Sequence, residues 1–194
     1  YSARLVEGGV LRDLIHEIDY AGWLFGWPDR VEATLRNLGR LGIDGRRPFA
    51  DAASGLALAF AIGIPGLAIY LGGRALGITA AVNPAGLDQF WWTIPILLLS
   101  AARAGITEEV IMIGYLFARL RDLGWRTWPI ILVSALIRGT YHLYQGFGSF
   151  VANVLLGVVF GWIYSRTGRV LPLVIAHFVV DAVVFVGWPL AAAT

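Results

Sequence analysis

Residues 106–117 read ITEEVIMIGYLF, two adjacent carboxylates, Glu108 and Glu109, inside a long apolar run. The rest of the chain is as oily. Of 194 residues, 58% are hydrophobic and 14% charged, with a mean hydropathy of +0.70. Soluble domains are nearer a quarter charged, so the composition is that of an integral membrane protein. There is no cysteine, which excludes disulfides and thiolate metal sites. All 15 basic residues are arginine, a bias that suits a GC-rich prokaryotic genome and an expected place in the bacterial plasma membrane.

Outward from the glutamates, apolar runs near 49–73, 89–121, 128–145, 149–166 and 170–189 each approach or exceed the roughly 20 residues of a span. The expected fold is all-α, a polytopic transmembrane helical bundle of about five spans. The run 89–121 is too long for a straight crossing, and Gly105 is the expected kink. Residues 1–48 are more polar and carry seven of the arginines. There Leu11, Leu14, Ile15 and Ile18 recur at helical spacing opposite Arg12, Asp13, His16, Glu17 and Asp19, as in an interfacial helix. A second short helix is expected from Asp29, with Glu32 completing a capping box. The chain therefore divides into a cytoplasmic-side amphipathic segment, 1–48, and a membrane-embedded domain, 49–194. With one crossing for 89–121, the arginines of 1–48, Arg119–Arg126 and Arg166–Arg169 share a side, as the positive-inside rule requires of a cytoplasmic N-terminal segment. Gly157 and Gly161 form a GxxxG pair suited to close helix packing.

Subtracting loops leaves Glu108, Glu109, Arg138, His142, His177 and Asp181 at membrane depth, with Arg103 on the border. Such residues are expensive in a bilayer, face a protein interior or a wet cavity, and mark function. His177 and Asp181 are four apart, on one helical face, as are Arg138 and His142; Tyr141, Tyr144 and Gln145 add donors nearby. Glu108 and Glu109, about 100° apart around an α-helix, are expected to face different points. Two imidazoles and one or two carboxylates suit water activation, either directly by a general base or through Zn²⁺ with an open position. Both lead to hydrolysis. No HExxH, GxSxG, GxxxxGK[ST] or GxGxxG occurs. Ser149 reads as a loop residue.

In order along the chain, Glu108-Glu109-Val-Ile-Met-Ile113, Arg138-Gly-Thr-Tyr-His142 and His177-Phe-Val-Val-Asp181 resemble the EExxxR, FxxxH and HxxxN/D motifs of the CPBP family of intramembrane proteases, the CAAX protease or Abi family with Ras-converting-type endopeptidases. The resemblance covers about 89–185. It implies that Glu108 with His142 activates the attacking water, that His177 and Asp181 stabilise the oxyanion, and that Glu109 is a second, more structural acid. A metal-dependent version would place Zn or another divalent metal on Glu108, His142 and His177; a metal-free version needs none. The implied partners are a peptide or membrane-protein substrate and the lipid bilayer, with no nucleic acid.

Two positions depart from the motifs: Ile113 stands for Arg, and Arg138 for Phe. Both are expected to be one change, the guanidinium having moved to the facing helix, where it still neutralises Glu109. A non-catalytic scaffold or immunity-type protein that binds a protein partner is the alternative reading. A transporter using the glutamates as an ion site is a third, disfavoured by the lack of an internal repeat.

Overall fold

The computed structural model describes residues 47–81, 90–187 and 190. All of them belong to the compact unit formed by residues 37–194. Apart from Arg47 and Pro48, the amphipathic segment expected over 1–48 lies outside the described residues.

Among the described residues the regular structure is helical throughout. Helix α1 spans Pro48–Ala75 and α2 Thr93–Glu108. A π-helical segment, Glu109–Tyr115, continues α2 without interruption into α3, Leu116–Asp122. Helix α4 spans Thr127–Tyr141 and is followed by a short 3-10 turn, Leu143–Gln145. Helix α5 spans Phe147–Thr167, and α6, Leu171–Ala182, ends in a second π segment, Val183–Gly187. Each expected span thus coincides with a helix or a continuous helical run. Of these, Pro48–Ala75 and Phe147–Thr167 are long and apolar enough to cross a membrane.

The termini follow from local chemistry. Pro48 opens α1, where a missing N–H costs nothing because the first turn has no partner for it. Gly168 closes α5 in the left-handed conformation at φ 65°, its N–H donating to the Tyr164 carbonyl. Ser149, expected in a loop, sits in the first turn of α5, which Gly146 allows to start early by turning at φ 104°.

Close packing is set by small residues. A Cβ at Gly157 would lie 2.7 Å from the Ala135 Cα, and one at Gly161 would lie 3.0 Å from the Phe117 ring and 3.2 Å from Ile131, so the GxxxG pair seats α5 against α4 and the helix ahead of it. Gly55 does the same for α1 against Ile175 of α6. The helix continues through Gly105 without a break, and the absent side chain admits the α6 backbone, with Val174 O 3.0 Å from where a Cβ would be. The irregularity falls four residues later, at the glutamates. The apolar core gathers Ile113, Phe117, Ile130, Ile131, Phe160, Tyr164, Val170 and Leu173 toward the end of the bundle that carries the arginine-rich turns.

Two ties hold the ends. At the arginine-rich end, buried Asp51 of α1 accepts a hydrogen bond from Arg169 Nε at 2.8 Å. At the other end, residues 78–80 lie across the 3-10 turn. Gly148 N donates to Ile78 O at 2.9 Å, Ala80 N to Gln145 O at 2.8 Å, and Arg74 Nη1 to Thr79 O at 2.9 Å.

Candidate active site

The π segment begins at the site. Its wider turn pairs the Leu116 N–H with Ile111 O, five residues back. The Met112 carbonyl takes a hydrogen bond from Ser134 Oγ of α4 at 2.7 Å, a side-chain partner in the helix it faces. Glu108 and Glu109 themselves keep α-helical backbone, and the expectation that they face different points is corrected: the fork of Arg138 reaches both. Arg138 Nη1 donates to Glu109 Oε2 at 3.3 Å, while Nη2 donates to Glu109 Oε1 and, at 3.1 Å, to Glu108 Oε2. A forked, planar donor is wide enough to serve two carboxylates at once, which an ammonium would do less well.

Burial separates the two acids. Glu109 is 0% exposed and Arg138 1%, whereas the Glu108 side chain keeps 22% of its surface. Arg138 also lies over the Phe160 ring, 5.5 Å from its centroid, and its Cδ fits beside Gly157, 3.5 Å from where a Cβ would sit. The small residue of α5 therefore makes room for the arginine of α4.

From α6, His177 Nδ1 approaches Glu109 Oε1 at 2.7 Å and Arg138 Nη2 at 3.3 Å. Its Nε2 is 3.5 Å from Asp181 Oδ2. His177 is thus set between two carboxylates, one at each ring nitrogen. His142, just past the end of α4, donates through Nδ1 to the Arg138 carbonyl at 2.9 Å, because a carbonyl can only accept. That bond fixes the tautomer and leaves Nε2 with its lone pair. Tyr141 donates its hydroxyl to Glu108 Oε2 at 2.8 Å, and its ring lies 4.7 Å from the His142 ring.

The structure therefore brings Glu108, Glu109, Arg138, His177 and Asp181 into one chain of contacts, with His142 beside it on the Arg138–Tyr141 turn. Counted from the arginine-rich end, Arg138 lies roughly 17 Å along α4 and His177 roughly 9 Å along α6. The long arginine side chain spans that difference, whereas His142, a turn deeper, makes no contact with His177. Glu108, His142 and His177 accordingly aim their donors at different partners. No group of three His, Cys, Asp or Glu side chains among the described residues is disposed to hold a metal ion.

What the sequence did not single out are Ser134, Phe160 and the Asp51–Arg169 pair. Ser134 is a hydroxyl inside an apolar helix, a weak signal. Asp51 sits three residues from the start of α1 and reads as an interface residue until its partner, 118 positions away, is known.

The class this defines is a helical bundle whose core is crossed by a Glu–Glu–Arg–His cluster. Residues 90–183 match the family model described as type II CAAX prenyl endopeptidase, Rce1-like, a family of integral membrane proteases. No curated protein and no solved structure matches the chain.

Proposed function

We propose that this protein is an intramembrane endopeptidase that hydrolyses peptide bonds of membrane-associated or C-terminal-tail substrates with a water activated by Glu108 and His142. The observation that carries this reading is the asymmetry of Glu108. Its Oε2 is anchored by Arg138 and Tyr141, while Oε1 takes no hydrogen bond among the described residues and the side chain is partly exposed. In this reading Oε1 takes a proton from water, and the resulting hydroxide adds to the scissile carbonyl carbon. His177, flanked by Asp181, is the imidazole proposed to stabilise the oxyanion that forms. Collapse breaks the C–N bond, and the proton held by Glu108, relayed by the Nε2 of His142, leaves with the amine.

The donors Glu108, His142 and His177 do not converge, and Arg138 already provides the positive charge between the carboxylates. The five helical runs are proposed to cross the bilayer with the arginine-rich turns facing the cytoplasm.

The test compares new protein N-termini in membranes of cells making the wild type or Glu108→Ala at matched levels. Termini found only with the wild type are expected, and they name the substrates. Indistinguishable profiles from two folded proteins would turn the reading to a non-catalytic scaffold. That alternative has one observation in its favour: Arg138 and His177 already satisfy Glu109, so the cluster also works as a lock between α2, α4 and α6.

A further inference from the structure

The last turn of α4 presents three side chains at the edge of the cluster, Arg138, Tyr141 and His142. Two of them donate to the same oxygen. Arg138 Nη2 reaches Glu108 Oε2 from the buried side at 3.1 Å, and the Tyr141 hydroxyl reaches it at 2.8 Å from the exposed side. Tyr141 is itself 38% exposed, so its hydroxyl has water as a ready alternative and yet is directed at the carboxylate. Its ring lies against the ring of His142, tilted 39° at 4.7 Å between centroids. One phenol thus touches both groups of the proposed water-activating pair.

A carboxylate held by one donor swivels about that bond; held by two donors on opposite sides of one oxygen, it does not. We propose that Tyr141 is the positioning residue of the site: its hydroxyl pins Glu108 through Oε2, turning Oε1 outward, and its ring holds the His142 imidazole alongside. The part played in hydrolysis rests on the peptidase reading above; the pinning of Glu108 does not. Neither partner of Tyr141 is replaceable by its neighbours. Tyr144 donates nothing to the cluster, its hydroxyl instead accepting from Gln145 Nε2 at 2.8 Å, and Ser149 is turned back to Gln145 O.

The experiment uses the purified full chain in detergent micelles, as wild type, Tyr141→Phe and Tyr141→Leu, with two readouts. The first is modification by dicyclohexylcarbodiimide, located residue by residue by mass spectrometry. This hydrophobic reagent adds across a carboxylic acid to give an O-acylisourea that rearranges to a stable N-acylurea. Loss of the phenol hydroxyl should raise modification of Glu108 about threefold or more, with Glu109 unchanged and the melting temperature within a degree or so, since one exposed hydrogen bond is lost. The second is turnover of a substrate peptide found by the N-terminal comparison. Tyr141→Phe should lower kcat about tenfold with KM unchanged, as expected when a reacting group is misaligned and substrate binding is not. Tyr141→Leu, which also removes the ring beside His142, should fall further.

Unchanged modification of Glu108 in Tyr141→Phe overturns the proposal, whatever the turnover. Raised modification in a protein that cleaves nothing even as wild type sustains the pinning and sinks the peptidase reading.

Discussion

The two arginine–carboxylate ties of this bundle make opposite use of the same chemistry. Arg169 and Asp51 join the α5–α6 turn to the start of α1 at the rim, where the arginine keeps 21% of its side-chain surface. Water there remains an alternative partner for the guanidinium, while Asp51 is buried against it. Arg138 and Glu109 are sealed at 1% and 0%, and neither has such an alternative. Around the sealed pair gather Glu108, His177, the face of Phe160 and the gap left by Gly157, because charge removed from water is costly unless protein answers it; Arg138 Nε alone of that guanidinium is buried without a hydrogen-bond partner. The fastening joins two helix ends, whereas the site gathers side chains from three helical runs around one guanidinium.

The comparison is broken most severely at Arg138. Arg138→Leu leaves two carboxylates and no guanidinium between them, and should cost about 3–5 kcal/mol in unfolding, together with all activity. Adding Ile113→Arg should return part of both, since position 113 is one turn along from Glu109 on the same helical run. Thermal unfolding in detergent of the single and double variants decides this, and a double variant no better than the single one ends the idea that the two positions exchange one charge. Asp51→Asn tests the other tie. It keeps the shape and removes the charge, and should cost about 1–2 kcal/mol while leaving peptidase turnover unchanged; a loss as large as that of Arg138→Leu would abolish the distinction between rim and interior. Smallest is Ser134→Ala, which withdraws the donor from Met112 O. A cost of about 1 kcal/mol is expected, with a fall in activity larger than that in stability, because the π turn adjoins both glutamates. Equal losses in both would assign Ser134 to packing alone.

Much of this was legible in the sequence because the membrane signal is local. Apolar runs located every helical run from Pro48 to Gly187, and subtraction of loop residues isolated Glu108, Glu109, Arg138, His142, His177 and Asp181. The substitutions at 113 and 138 pointed to a guanidinium arriving from α4, and the structure has Arg138 against Glu109. What stayed hidden depends on contacts between distant positions. One guanidinium from another helix spans both glutamates, so the α-helical angle of about 100° between them misled. Gly105 marked a close approach of α6, and a glycine that admits a neighbour looks in sequence like one that permits a bend. Asp51 gave no sign of its partner on the far side of the chain. The pairing of His142 with its own helix carbonyl was also out of reach, since it depends on where α4 stops.

The guanidinium that enters from α4 also constrains the order in which such a site can change during descent. A lineage moving this charge between the glutamate helix and the helix facing it passes through a protein with both arginines or with neither. With neither, Glu109 is stranded in the interior and the intermediate carries the cost of about 3–5 kcal/mol expected for Arg138→Leu. With both, two cations meet two anions, and the intermediate survives at the expense of crowding that Ile113, now packed in the core, no longer imposes. The passable route is gain before loss, so sequences carrying arginine at both positions are the ancestors to look for.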